Sequence, residues 1–193
     1  MKTIKSVTFV AMKPIFLIGY MGCGKTTLGK PLARCMGRRF VDLDLYIEKK
    51  HSMTAKEIFS TYGEAHFRRL EREALKEVAA CCDGAIVACG GGTPLQPSNM
   101  ELMNRVGITV WLTTGVERIT SRLVLPEQRT KRPLLNDMTD SQIRASVAKG
   151  LEERKSYYQK AQLQFDSTLL ESVEQVECTA RRLKEMLNNL LVD

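Results

Sequence analysis

The segment Gly19-Tyr20-Met21-Gly22-Cys23-Gly24-Lys25-Thr26 follows the apolar run Ile15-Phe16-Leu17-Ile18 and precedes an amphipathic stretch. Strand, glycine-rich turn and helix in that order make a phosphate cradle. The glycines let successive backbone N–H groups converge on phosphate oxygens, and the helix beginning near Lys25 adds the positive end of its dipole. The pattern commits the chain to an α/β fold that holds a nucleoside triphosphate, with Gly22, Cys23, Gly24, Lys25, Thr26 and Thr27 lining the cradle. Lys25 reaches the β- and γ-phosphates, and Thr26 offers a hydroxyl to Mg²⁺, a hard cation that keeps most of its waters. Cys23 serves as a small spacer between two glycines, not as a nucleophile.

At 193 residues the chain suits a single domain with a substantial core. Lysine and arginine number 29 against 22 acids, a net charge of +7 that suits either nucleic acid or a small polyanionic substrate. The aromatic residues are scattered and no basic run exceeds three residues, so no basic face interleaved with aromatics is visible, and no nucleic-acid partner is expected. Six cysteines at 23, 35, 81, 82, 89 and 178 form no C-x-x-C pair, which fits a reducing cytosol. No apolar stretch approaches the ~20 residues that cross a bilayer, so no membrane partner is expected. Residues 1–13 read as a disordered tail, with Met12 a candidate natural start.

β-rich runs at 15–18, 40–42, 85–88, 108–112 and 165–168 alternate with helical segments at 25–36, 44–50, 55–62, 64–81, 98–105, 116–124, 140–162 and 173–191. That alternation predicts a five-stranded parallel sheet with helices on both faces. Capping boxes are expected at Thr54…Glu57, Ser98…Glu101, Thr139…Gln142 and Ser172…Gln175. The stretch 124–137 is too polar and proline-marked for a helix or strand. It reads as a mobile lid carrying Arg129, Lys131 and Arg132, with a disordered surface loop as the alternative.

Several residues carry candidate chemistry. Asp42 and Asp44 end the second strand, where ligand sites of open parallel sheets form. One carboxylate can hold Mg²⁺ and the other a substrate hydroxyl, unless Asp44 merely caps the next helix. Gly90, Gly91 and Gly92 follow the third strand and offer backbone N–H groups to a ligand, or simply a tight turn. Arg68 has Glu64 and Glu71 at helical spacing, and Arg154 has glutamates at 152 and 153, so each can be a solvated ion pair. Together they can also clamp a carboxylate in bidentate fashion. His51 and His66, the only histidines, form no metal-ligand set.

These motifs together resemble the shikimate kinases: Gly-x-x-x-x-Gly-Lys-Thr at 19–26, Asp-Leu-Asp at 42–44, Phe-Arg at 67 and 68, Gly-Gly-Gly at 90–92 and Arg-Pro-Leu-Leu at 132–135. The likeness runs from about residue 14 into the C-terminal helix. It implies a P-loop NTPase three-layer sandwich of the nucleoside-monophosphate-kinase kind, and a cytoplasmic, monomeric enzyme that moves the γ-phosphoryl of ATP to the 3-hydroxyl of shikimate, on the way to chorismate and aromatic amino acids. The resemblance assigns Asp44, Arg68, the Gly90–Gly92 turn and Arg154 to shikimate, with Phe59 and Phe67 against its ring. Asp42 then lies near Mg²⁺, and Lys25, Asp44 and Arg132 are the catalytic set, with Arg132 on the transferring phosphoryl group. Arg122, ten positions before Arg132, is the best match to an arginine that stacks on adenine, and Ser156 stands where the family usually has proline.

Two other readings use the same phosphate loop. A gluconate kinase needs no twin-arginine clamp of this layout. A guanine-nucleotide switch needs Asn-Lys-x-Asp, which this chain lacks.

Overall fold

The computed structural model describes residues 12–82, 84–130, 132 and 135–191. Most of the expected tail, and Lys131, Pro133 and Leu134 of the expected lid, lie outside the described residues. Strands β1 (Ile15–Ile18), β2 (Phe40–Asp42), β3 (Ile86–Ala88), β4 (Ile108–Thr113) and β5 (Leu163–Asp166) are all parallel and lie in the order β2-β3-β1-β4-β5. β1 is central, and its four apolar side chains are fully buried, as expected of a strand covered on both faces.

Alternation along β1 divides the core in two. Ile15 and Leu17 pack with Leu28, Leu32, Leu183 and Leu187, which brings α1 (Lys25–Met36) and α8 (Val173–Leu191) onto one face. Phe16 and Ile18 pack with Leu43, Leu75, Met103, Ile119 and Val147 on the other. That second face carries α2 (Leu43–His51), α3 (Ala55–Cys81), α4 (Asn99–Val106), α5 (Val116–Leu123) and α7 (Asp140–Tyr158). The two helices expected at 55–62 and 64–81 form as the two parts of α3, separated at the non-helical Gly63, φ 79° and ψ 173°.

The capping boxes at Thr54 and Thr139 form as expected. At Ser172 the hydroxyl accepts from Gln175 N at 3.2 Å, but the Gln175 side chain accepts from Glu171 N, one residue earlier. The expected box at Ser98 does not form. Ser98 is left-handed, φ 64°, and makes no side-chain cap bond, whereas a capping hydroxyl reaches the first turn from an extended backbone. α7 stops at Tyr158, short of 162, because Lys160 N and Ala161 N turn back onto Tyr157 O and Tyr158 O, freeing Leu163 to pair with Val110. The segment 124–137, expected to lack regular structure, contains the short helix α6 (Pro126–Thr130). Proline at its first position presets the helical φ and forfeits no intrahelical bond. Lys13, expected in the tail, is held: its carbonyl accepts from Arg38 Nη1 at 3.0 Å.

All five strands release the chain at one edge of the sheet. The turns after Ile18, Asp42, Ala88, Thr113 and Asp166 therefore gather there, where open parallel sheets hold ligands.

Candidate active site

The phosphate loop is fixed from behind. Arg122 Nη1 donates to Gly22 O at 3.0 Å, and Ser167 Oγ donates to Cys23 O at 2.8 Å. With those carbonyls engaged, the uncapped start of α1 at Gly24, φ 97°, presents its first-turn N–H groups to the loop. Leu170 presses on Gly24 so closely that a Cβ there would lie 2.2 Å from its Cδ1. Lys25 Nζ donates to Gly19 O at 2.8 Å and Tyr20 O at 3.0 Å, which keeps the ammonium at the loop. Cys23 is buried beneath the loop, consistent with a spacer.

Thr26 Oγ1 donates to Asp42 Oδ2 at 2.8 Å, joining the start of α1 to the end of β2. Asp42, not Asp44, caps α2, accepting from Leu45 N. The alternative assignment of Asp44 as the cap is thereby excluded, and its carboxylate stays available. Half-buried Asp44 has its pKa raised to about 6, first by burial, then by the neighbouring charges of Glu71 and Asp42. A hydroxyl and a carboxylate at the mouth of a phosphate cradle fit a magnesium ion that keeps several waters. Among the described residues no cluster of three or more His, Cys, Asp or Glu side chains offers a tighter cage.

The glycine turn after β3 is where the two arginines meet. A Cβ on Gly92 would lie 2.7 Å from Arg68 Nη1, and one on Gly91 would lie 3.6 Å from Arg154 Nη1. A Cβ on Gly90 would lie 2.6 Å from Glu71 Oε1 and 3.0 Å from Asp44 Oδ1. The turn thus lies against one carboxylate of the acidic pair and both guanidinium groups. Close approach of side chains accounts for Gly90 and Gly92, whereas a Cβ on Gly91 would meet only ordinary contacts.

Phe59 and Phe67 stack at 4.5 Å between centroids, and Arg68 Cζ lies 5.9 Å and 5.7 Å from the two rings. Eight residues of straight helix would separate the two rings by about 12 Å. The break at Gly63, whose left-handed φ a side chain would strain, folds Phe59 back over Phe67. Phe67 is buried, whereas Phe59 is 36% exposed and presents an open face.

The remaining arginines are not all brought to the cradle. Arg122 reaches it only at Gly22 O; its other bonds go to Ser167 O at 3.4 Å, Thr168 O at 2.8 Å and Glu171 Oε1 at 3.0 Å, which holds the guanidinium beside the loop after β5. Arg132 donates to Gln128 O and Oε1 within its own segment, and burial lowers its pKa.

Glu71 was read from sequence only as a possible surface partner of Arg68. It is fully buried, accepting from Thr93 Oγ1 at 2.6 Å and Arg68 Nη1 at 3.0 Å. Burial opposes the charge on Arg68, but Glu71 and Glu64 outweigh it and raise the pKa of the guanidinium. The signal was present: Phe67, Leu70, Glu71, Ala74, Leu75 and Val78 follow one helical face, and all are buried. Tyr158, whose hydroxyl donates to Gly91 O at 2.8 Å, was also missed. Burial pushes its pKa up to about 12, so it remains a donor.

The shikimate kinase sequence profile matches residues 21–187. The shikimate kinase of Bacteroides thetaiotaomicron is 43% identical over 176 residues, covering 91% of this chain and 99% of that protein. A crystal structure of shikimate kinase from the same species superposes with a TM-score of 0.86 at 42% identity, covering 92% of this chain and 99% of that one. Shikimate kinase from Acinetobacter baumannii, solved in complex with shikimate, superposes with a TM-score of 0.77 at 31% identity, covering 92% and 94%.

Proposed function

The chain belongs to the shikimate kinase family, and from that premise we propose how its residues transfer the γ-phosphoryl group of ATP to the 3-hydroxyl of shikimate, giving shikimate 3-phosphate and ADP. It is an ATP-dependent phosphotransferase with the P-loop fold of that family. Arg68 and Arg154 grip the shikimate carboxylate at the Gly90–Gly92 turn, a planar bidentate contact that lysine does not reproduce. Phe59 lies against the ring, backed by Phe67. Asp44 accepts hydrogen bonds from the ring hydroxyls and receives the proton as the 3-hydroxyl attacks.

The loop from Gly22 to Thr27 holds the phosphates of ATP, with Lys25 leaving its carbonyl partners for their oxygens. Thr26 and Asp42 would hold Mg²⁺, which when bound would neutralise phosphate charge. Segment 124–137 closes as a lid, turning Arg132 from Gln128 to the transferring phosphoryl group and excluding water. Arg122 lies against the adenine side. Phosphoryl transfer leaves little covalent work to the protein, so positioning and charge stabilisation carry the rate. The enzyme acts as a cytoplasmic monomer with a single domain, and its net positive charge serves two anionic substrates rather than nucleic acid.

The observation that supports this reading most is the approach of the Arg68 and Arg154 guanidiniums to adjacent glycines beside Asp44. A coupled assay with ATP and either shikimate or gluconate tests it. Turnover with shikimate is expected, and Arg68→Ala and Arg154→Ala should each raise KM for shikimate while leaving KM for ATP nearly unchanged. Turnover of gluconate alone, or wild-type shikimate kinetics in both variants, would overturn it.

A further inference from the structure

The two arms of the carboxylate clamp are held differently. Arg68 is fixed by Glu64 and Glu71, each 3.0 Å away. Among the described residues Arg154 has no carboxylate within ion-pair distance. Instead its Cζ stands 5.0 Å from the centroid of the Tyr20 ring, with the Tyr158 hydroxyl also beside the guanidinium.

Tyr20 belongs to the phosphate loop by sequence, and its carbonyl accepts from Lys25 Nζ at 3.0 Å. Its ring is buried against α7, with the hydroxyl 3.5 Å from Ser146 O. Residue 150 makes room for it. A Cβ on Gly150 would lie 2.5 Å from the Tyr20 hydroxyl and 2.7 Å from its Cε2. Glycine weakens a helix interior, and its place in the middle of α7 is explained by this seat. Tyr20, Gly150 and Arg154, one turn of helix beyond Gly150, thus form a single contact unit between the phosphate loop and the clamp.

We infer that Tyr20 is a positioning residue for Arg154: its ring, seated on Gly150, holds the guanidinium toward Gly91 while leaving its charge unpaired for the shikimate carboxylate. The inference rests on the reading of Arg154 as one arm of that clamp. An aromatic face attracts a guanidinium without neutralising it. A carboxylate in the same place would compete with the substrate for the same donors.

Steady-state kinetics of Tyr20→Leu, Tyr20→Phe, Gly150→Ala and Arg154→Ala test it, with melting curves to establish that each variant folds. Tyr20→Leu should raise KM for shikimate roughly tenfold, the scale of a partly desolvated cation–π contact, and leave KM for ATP within about twofold. Tyr20→Phe keeps the ring and should stay close to wild type. Gly150→Ala displaces the ring without touching either substrate and should repeat the Tyr20→Leu pattern. Tyr20→Leu combined with Gly150→Ala should be no worse than either alone, because both act through one contact. With the methyl ester of shikimate, which lacks the charge, the difference between wild type and Tyr20→Leu should shrink toward none.

Equal rises in both KM values would overturn the inference, since they would signal a disturbed phosphate loop. Wild-type shikimate KM in Tyr20→Leu, with a raised value in Arg154→Ala, would reject the role of Tyr20 and leave the clamp standing. Unchanged shikimate KM in Arg154→Ala would overturn the clamp and this inference together. Should Gly150→Ala fail to fold, the contrast between Tyr20→Leu and Tyr20→Phe decides: a rise in shikimate KM shared by both overturns it.

Discussion

Glu71 Oε2 accepts from Arg68 Nη1 at 3.0 Å while its Oε1 accepts the Thr93 hydroxyl at 2.6 Å, so one buried carboxylate braces both the clamp and the turn after β3. Glu71→Ala leaves the Thr93 hydroxyl without its acceptor and Arg68 with only the exposed Glu64. Removing one member of a buried pair costs several kcal/mol, and Arg68 is partly solvated, so we expect a loss of about 2–3 kcal/mol. Urea denaturation measures it, and KM for shikimate should rise in parallel. Glu71→Gln keeps an acceptor for Thr93 and should lose less stability. A wild-type denaturation midpoint in Glu71→Ala would show that the brace is not structural.

Gly92→Ala separates binding from folding. The added methyl would lie 2.7 Å from Arg68 Nη1, the far end of a flexible side chain, and 2.9 Å from Cζ and Nη2. The guanidinium must shift while staying paired with buried Glu71, so the loss of stability should remain below that of Glu71→Ala. The displaced arm no longer meets the carboxylate, and shikimate affinity should fall roughly tenfold, about 1.4 kcal/mol. Isothermal titration with shikimate alone reads this directly; unaltered affinity would place Arg68 outside the carboxylate contact.

Asp44 sets the acid side of the pH profile. Its pKa in the folded chain is raised from 3.8 to about 6, by burial first and then by Glu71 and Asp42. A raised carboxyl pKa means that the folded chain binds the proton more tightly than the unfolded one. Stability from this group therefore falls as pH rises from about 4 to about 6, and is level above that. The proposed role of Asp44 as proton acceptor requires the carboxylate form, so on that proposal activity runs the other way and kcat/KM should fall with one proton below about pH 6. Glu71→Gln removes a like charge and should shift this limb to lower pH, and a limb that stays in place would assign the titration elsewhere. In the metal-free protein, added Mg²⁺ should lower the Asp44 pKa, as a nearby cation favours the carboxylate.

The sheet and the cradle were legible because each is written in local pattern. Ile15–Ile18 followed by Gly19 to Thr26 fixes a strand, a loop and a helix start, and Thr54 and Thr139 mark helix starts by spacing alone. What was not legible depends on tertiary approach. Glu71 reads as half of a surface ion pair until the burial of its helix face is known. Ser98 has the spacing of a capping box, yet its left-handed backbone turns the hydroxyl away. Gly90–Gly92 reads as a ligand-facing turn, and the packing of Glu71, Asp44 and Arg68 against Gly90 and Gly92 is not written in the local pattern. The segment 124–137 is polar enough to look structureless, and α6 forms there with no buried side chain, which no hydrophobic pattern announces.

Arg129 closes that segment upon itself. Its guanidinium donates to Val124 O at 3.2 Å, Leu135 O at 3.3 Å, Met138 O at 2.7 Å and Asp140 Oδ1 at 2.5 Å, tying the end of α5 to the start of α7. Since α6 itself buries nothing, these bonds, together with buried Leu135, hold the segment that carries Arg132. Arg129→Ala should therefore loosen the lid without touching the shikimate site. We expect faster chymotryptic cleavage within 124–137, shikimate affinity close to wild type, and kcat lower by roughly tenfold, about 1.4 kcal/mol of transition-state stabilisation. A lid that seals poorly also admits water, so ADP should form in excess of phosphorylated product. Arg129→Lys should not restore the wild-type rate, because one ammonium cannot span acceptors placed for a planar fork. Wild-type turnover together with undiminished protection from chymotrypsin in Arg129→Ala would remove Arg129 from the working of the lid.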